Sequence, residues 1–172
     1  IALGNNANAD DTNSIAIGTN SKADQDAAIA IGNNVRAKKY SSVVIGEDAE
    51  SNNSRSVVIG YRASATNPAM AASGQDTNQT VAIGAYANAY GDQSTAIGNN
   101  VFAKGDSSIA IGSDDWDTVA AKTVEGTGKT VKEVYHDYTG DVMSTGPGSY
   151  DLATSGEAAV AIGAKSLATA EL

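Results

Sequence analysis

An apolar triplet closed by glycine recurs along the chain: Ile1-Ala2-Leu3-Gly4, Ile15-Ala16-Ile17-Gly18, Ile29-Ala30-Ile31-Gly32, Val43-Val44-Ile45-Gly46, Val57-Val58-Ile59-Gly60, Val81-Ala82-Ile83-Gly84, Thr95-Ala96-Ile97-Gly98, Ile109-Ala110-Ile111-Gly112 and Val160-Ala161-Ile162-Gly163. The glycines at 4, 18, 32, 46 and 60 are 14 residues apart, as are those at 84, 98 and 112. The step from 60 to 84 exceeds that period by 10 residues, and the step from 112 to 163 exceeds it by 37. Two insertions therefore interrupt a constant repeat, and a constant repeat is the signature of a stacked architecture.

A 14-residue unit is too short for a pair of helices but holds two short strands and two turns. The triplet forms the first strand. Glycine and a polar pair, as in Gly4-Asn5-Asn6 and Gly98-Asn99-Asn100, form a corner, where Gly and Asn tolerate positive φ at low cost. A second strand follows with small residues at alternate positions, such as Ala7 and Ala9, Val35 and Ala37, Ala63 and Ala65, Ala87 and Ala89, Val101 and Ala103. A second corner, as in Lys104-Gly105-Asp106-Ser107-Ser108, closes the turn. Each strand then pairs with its equivalents one turn above and below, about 4.8 Å away. The fold predicted is all-β: a two-sheet parallel β-solenoid with 14 residues per turn, about 40 Å tall. It spans residues 1–172 as one domain, with repeats over 1–65, 81–112 and 152–168 and loop insertions at about 66–80 and 113–149.

The two strands of the unit differ. The second alternates small and polar residues, so one of its faces meets water. The first is apolar on both faces, with Ile29 and Ile31 pointing one way and Ala30 the other. A strand of that kind is covered on both sides, yet only one side can pack within the chain. Burying one Val, Leu or Ile is worth about 1.5–3 kcal/mol, so a wet stripe of them is costly. Association with copies of the same chain, around an axis parallel to the stack, covers the stripe with cyclic symmetry. The packing residues expected in the core or between chains are Ile17, Ala30, Ile31, Ile45, Val58, Ile59, Ile83, Ala96, Ile97, Ile111 and Ile162.

Composition narrows the function. The net charge is −9 and the isoelectric point near 4.4, against nucleic-acid binding through clustered Lys and Arg. The chain has no Cys and one His, and no recurrent nucleophile motif, so neither catalysis nor a cofactor is expected. The cluster Asp114-Asp115-Trp116-Asp117 lacks the ligand spacing of a calcium loop, and no metal site is assigned. No apolar run approaches the ~20 residues of a membrane-spanning helix, and Ile1–Asp10 shows no signal-peptide pattern.

The run Ser94-Thr95-Ala96-Ile97-Gly98-Asn99-Asn100-Val101-Phe102-Ala103-Lys104-Gly105-Asp106-Ser107-Ser108 resembles the head repeat of YadA-like trimeric autotransporter adhesins. The resemblance covers about residues 1–112 and 157–168. It implies a left-handed parallel β-roll assembled as a homotrimer, exposed at the outer membrane surface of a Gram-negative bacterium. It implies attachment to a host cell surface or extracellular-matrix protein of the collagen, fibronectin or laminin class, with membrane anchoring through regions absent from this chain. Against a hexapeptide-repeat acyltransferase stand the period of 14 and the lack of a His beside the repeat. A plain spacer for other surface modules would need no insertions, and an ice-binding solenoid would want a regular Thr ladder.

The insertions carry the remaining candidates. The first holds Pro68 and Gly74 and extends the corner after a second strand. For the second, counting back from Val160 puts Leu152 and Thr154 in the small-residue slots of a second strand. The second insertion thus lies between the two strands of one turn, and the two insertions leave from different corners. Within it, 118–124 and 129–138 are rich in Val, Thr and Tyr and flank Glu125-Gly126-Thr127-Gly128, which predicts a β-hairpin. It also holds Trp116, Tyr135, His136 and Tyr138, candidate ligand-binding residues because Trp and Tyr concentrate at binding hot spots. A basic zone in the middle turns adds Lys38, Lys39, Arg55 and Arg62, and a column of outward residues on the second strands includes Arg36 and ends at Phe102.

Overall fold

A computed structural model describes residues 1–66, 78–113, 121–139, 153–163 and 167–168. Two parallel nine-stranded sheets stack the repeats in sequence order. The first sheet is built from Ala2–Leu3, Ile15–Ile17, Ile29–Ile31, Val43–Ile45, Val57–Ile59, Val81–Ile83, Thr95–Ile97, Ile109–Ile111 and Val160–Ile162. The second runs through Asn8–Ala9, Lys22–Ala23, Arg36–Ala37, Glu50–Ser51, Ser64–Ala65, Asn88–Ala89, Val101–Ala103, Ala153–Ser155 and Leu167–Ala168. Each rung of the solenoid contributes one strand to each sheet, and equivalent residues pair at the repeat spacing, Ala16 with Ala30 and Lys22 with Arg36.

The core is thin and made of small side chains. From the first sheet it takes the middle residue of each triplet: Ala16, Ala30, Val44, Val58, Ala82, Ala96 and Ala110 are fully buried. From the second sheet come Ser21, Ala23, Val35, Ala37, Ser51, Ala65, Ala87, Ala89, Val101 and Ala103, all fully buried. Residues with longer side chains would push the sheets apart, so the Ala-rich composition fixes the thickness of the roll.

Both corners depend on left-handed backbone. At the first corner the glycine after the triplet has φ between +120° and +142° on every rung but that of Gly112, and the second residue beyond it, as Asn6, Asn34 or Arg62, has φ near +54°. The glycines serve a second purpose. A Cβ on Gly32 would overlap the carbonyl group of Gly46, and one on Gly46 that of Gly60. The stacking distance of the solenoid leaves no room there for a side chain. At the second corner a buried hydroxyl closes the turn: Ser42 Oγ donates to the Lys39 carbonyl at 2.7 Å, Ser56 Oγ to that of Asn53 at 3.0 Å, and Ser94 Oγ to that of Gly91 at 2.7 Å.

Three sequence expectations are corrected. The first insertion is shorter than 66–80, because Asn78 bridges Ser54, Gln79 N–H donates to the Ser54 carbonyl, and Thr80 is buried in the hydroxyl column of the second corner. Residues 78–80 belong to the roll. The second-sheet strand that follows the second insertion is shifted by one residue: Val101 pairs with Ala153, Phe102 with Thr154 and Ala103 with Ser155. Ala153 and Ser155, not Leu152 and Thr154, take the register positions of Val101 and Ala103. The closing corner is one residue shorter here, running Gly156 to Ala159 where the previous rung uses Lys104 to Ser108. A slip of one residue moves a whole strand to the opposite face.

The third correction concerns the predicted hairpin. Among the described residues only its turn forms, with a bridge between Thr123 and Thr130 and Val124 N–H donating to the Lys129 carbonyl at 2.8 Å. Residues Val131–Thr139 form an α-helix. Thr130 caps it: Glu133 N–H donates to Thr130 Oγ1 at 3.3 Å, and Glu133 Oε2 accepts from Thr130 N–H at 2.7 Å. This reciprocal capping box outweighs the modest strand preference of Val, Thr and Tyr.

Candidate interaction surface

With each triplet's middle residue turned into the core, its first and third residues face outward from the first sheet. They align in two columns. One runs Ile15, Ile29, Val43, Val57, Val81, Thr95, Ile109, Val160. The other runs Leu3, Ile17, Ile31, Ile45, Ile59, Ile83, Ile97, Ile111, Ile162. In the middle of the stack these side chains are half-buried by their own neighbours, while Leu3 is 65% and Ile162 68% exposed. No described segment of the chain crosses this face, so it forms a continuous apolar band along the roll. An apolar area of that extent marks an interface.

The outer face of the second sheet has the opposite character. Its column reads Asn8, Lys22, Arg36, Glu50, Ser64, Asn88, Phe102. Arg36 is exposed between Lys22 and Glu50. Lys38 lies next to this column and donates to Glu50 Oε1 at 2.6 Å. That surface ion pair adds little stability. Phe102 packs edge-on against Tyr90, ring centroids 5.2 Å apart, with the Lys104 ammonium 5.9 Å from its ring. Burial raises the Tyr90 hydroxyl above its ordinary pKa.

Arg62 lies at the first corner, beyond the edge of the apolar band. Its guanidinium sits over the rings of Tyr61 and Tyr86, at 5.2 and 6.0 Å from their centroids, and its Nε reaches Asp48 Oδ2 at 3.5 Å. The two tyrosines meet edge to face, 5.4 Å between centroids. Hydrogen bonding to Tyr86 raises the Tyr61 pKa. The Asn34 amide, donating to Asp48 at 2.6 Å, holds the Asp48 carboxyl below its usual range, and Arg62 adds to the effect. Elsewhere this corner carries amides bonded from rung to rung, as Asn6 to Asn20 at 3.2 Å. The exposed aromatic and cationic cluster replaces that ladder on adjacent rungs.

Tyr61 and Tyr86 are 25 residues apart in sequence and neighbours in space, because the first insertion leaves the register of the first corner intact. Counting each from its own glycine, 60 or 84, was the available signal. At the opposite corner Lys39 precedes Tyr40, whose ring carries the Arg55 guanidinium at 5.3 Å.

The remaining candidates lie on the second insertion. Tyr135, His136 and Tyr138 are on the helix Val131–Thr139, where His136 is exposed. Trp116 and its acidic neighbours lie outside the described residues, as do Pro68, Gly74, Leu152 and the side chains of Tyr135 and Tyr138. The candidates do not converge on one pocket: Arg36 and Phe102 are separated by four strand spacings, about 19 Å. Among the described residues no group of three His, Cys, Asp or Glu could hold a metal ion, and no helix is long and apolar enough to cross a membrane.

No curated protein sequence matches the chain. The family model for the YadA head domain repeat matches residues 1–21, 12–34, 37–63, 78–100, 103–114 and 155–171, which together exceed half of the sequence. These segments follow the rungs of the roll, glycine corner by glycine corner, and the chain belongs to the YadA head domain repeat family.

Proposed function

We propose that this chain is the head of a trimeric autotransporter adhesin on the outer surface of a Gram-negative bacterium. Three copies pack the outer faces of their first sheets around a common axis. The left-handed sense of the roll and the number three follow from the family resemblance. The second sheets, both corners and the insertions are then presented outward to a host cell-surface or extracellular-matrix protein of the collagen, fibronectin or laminin class.

One observation carries this reading. The face that each chain leaves apolar runs the length of the roll, while the opposite face is polar. A shared interior and a wet exterior account for both. Binding rather than catalysis fits a surface that, among the described residues, brings no candidate acid and base groups together. Three identical faces also raise the effective concentration of each weak contact, so no single residue need supply the affinity.

A binding panel tests the proposal. The whole protein is expected to bind at least one of immobilised collagen, fibronectin or laminin, and a variant with residues 113–149 replaced by a short linker is expected to bind more weakly. No binding to any of the three by a folded, trimeric protein would contradict the matrix-adhesion reading.

A further inference from the structure

The two outward columns of the first sheet contain one polar residue, Thr95. It is half-buried, it pairs with Val81 on one side and Ile109 on the other, and among the described residues its hydroxyl has no hydrogen-bond partner. Its place is in the interior of the sheet, the seventh of nine strands.

A repeating interface has a register problem. Every rung offers its neighbours nearly the same Ile and Val side chains, so a chain displaced along the axis by one rung, about 4.8 Å, meets an almost identical surface. Only the end rungs lose contacts. Apolar packing therefore favours association strongly and discriminates weakly between registers. A polar group inside such an interface acts differently, since a hydroxyl removed from water without a partner is costly. A single polar layer is known to select register in packed helices, and the same physics applies to stacked strands.

We infer that Thr95 sets the axial register of the assembled head: in register, the three Thr95 hydroxyls share one layer and satisfy each other directly or through a water held among them. When one chain is displaced by a rung, its hydroxyl faces the Val81 or Ile109 layer of both neighbours and is stranded. Thr95 is thus a positioning residue for the second and third copies of this chain. The inference rests on the trimeric reading above.

The test replaces Ile83 with a diazirine analogue of leucine in the whole protein. The stripe is photo-crosslinked and the linked peptides are identified by mass spectrometry. With Thr95 present, links are expected to fall on a single rung of the neighbouring chain. Thr95→Val, which keeps the shape and removes the hydroxyl, is expected to remain trimeric but to spread its links over two or more adjacent rungs. Thr95→Ser is expected to restore the single rung. A trimeric Thr95→Val protein whose links stay on one rung would overturn the inference and leave the trimer standing. A protein that remains monomeric at every concentration would overturn both.

Discussion

The two sheets of the roll share a rung spacing, a direction and a core, yet their outer faces are opposites. On the first sheet, the residues flanking the buried Ala or Val are Ile and Val, as at Ile29 and Ile31 around Ala30. On the second sheet, the residue between two buried positions is polar or charged at Lys22, Arg36, Glu50, Ser64 and Asn88, with Phe102 the exception among the described rungs; Arg36, for one, lies between Val35 and Ala37. Interior packing is equally demanding on both sides, so burial within the chain cannot explain the difference. What differs is the second surface each strand must meet. One face is shaped for another protein chain and the other for water, and the sequence records this as two hydropathy patterns of one period.

The comparison can be broken most severely at what the sheets have in common. Gly46→Ala puts a Cβ against the carbonyl of Gly60 at a φ of +141°. It is expected to cost more than about 3 kcal/mol, and urea unfolding should show a large loss of stability whatever the oligomeric state. The next largest effect separates the sheets. Ile45→Asp on the apolar band should convert the assembly to monomers, because a carboxylate buried there has no partner. Arg36→Ser on the other sheet should leave mass and stability within about 0.5 kcal/mol of the parent. Both are read by light scattering and thermal unfolding.

An inward substitution should be indifferent to the distinction. Val58→Ala empties part of the core and is expected to cost about 1–3 kcal/mol without changing the number of chains. The smallest effect sets the roll against its insertion. Hydrogen bonds from Thr130 hold the Glu133 carboxyl below its usual pKa. The folded pKa is depressed, so the contribution is complete above the ordinary Glu range and fades as pH falls through the lowered value. Circular dichroism should show the helical signal weakening on acidification below about pH 4, and Thr130→Ala, which removes the hydroxyl bond but keeps the backbone N–H bond to Glu133, should reduce that dependence in part while the strand signal persists.

The rungs were legible because most of them repeat the same three constraints: a glycine backed against the next glycine carbonyl, small residues at alternate inward positions, and a hydroxyl at the second corner, which Ala28 and Ala159 replace on two rungs. Nine copies reinforce one another, and local ambiguity in any single strand is overruled. Where the repetition stops, so does the reading. Residues 131–139 carry strand-favouring Val, Thr and Tyr, and the decisive signal was two residues, Thr130 and Glu133, at capping-box spacing. Counting back from Val160 assumed a corner of constant length, and the one residue missing before Ala159 put the count on Leu152 and Thr154 in place of Ala153 and Ser155. The Tyr61–Arg62–Tyr86 cluster was hidden by the 10 extra residues between its rungs, although Arg62 itself stood out by its charge. The sequence also showed the apolar residues on both faces of the first strand, but not which of them the core would take. Chain thickness decides this: two facing sheets with Ala and Ser between them have room for Ala30 and not for Ile31.

The most direct measurement is the solution mass of the folded protein by light scattering, across a dilution series and alongside the Ile45→Asp variant. The account predicts a particle of three times the 17.3 kDa chain for the parent and a single chain for the variant. A parent protein that is folded, soluble and of single-chain mass, with Ile17, Ile31 and Ile45 facing water, would contradict it.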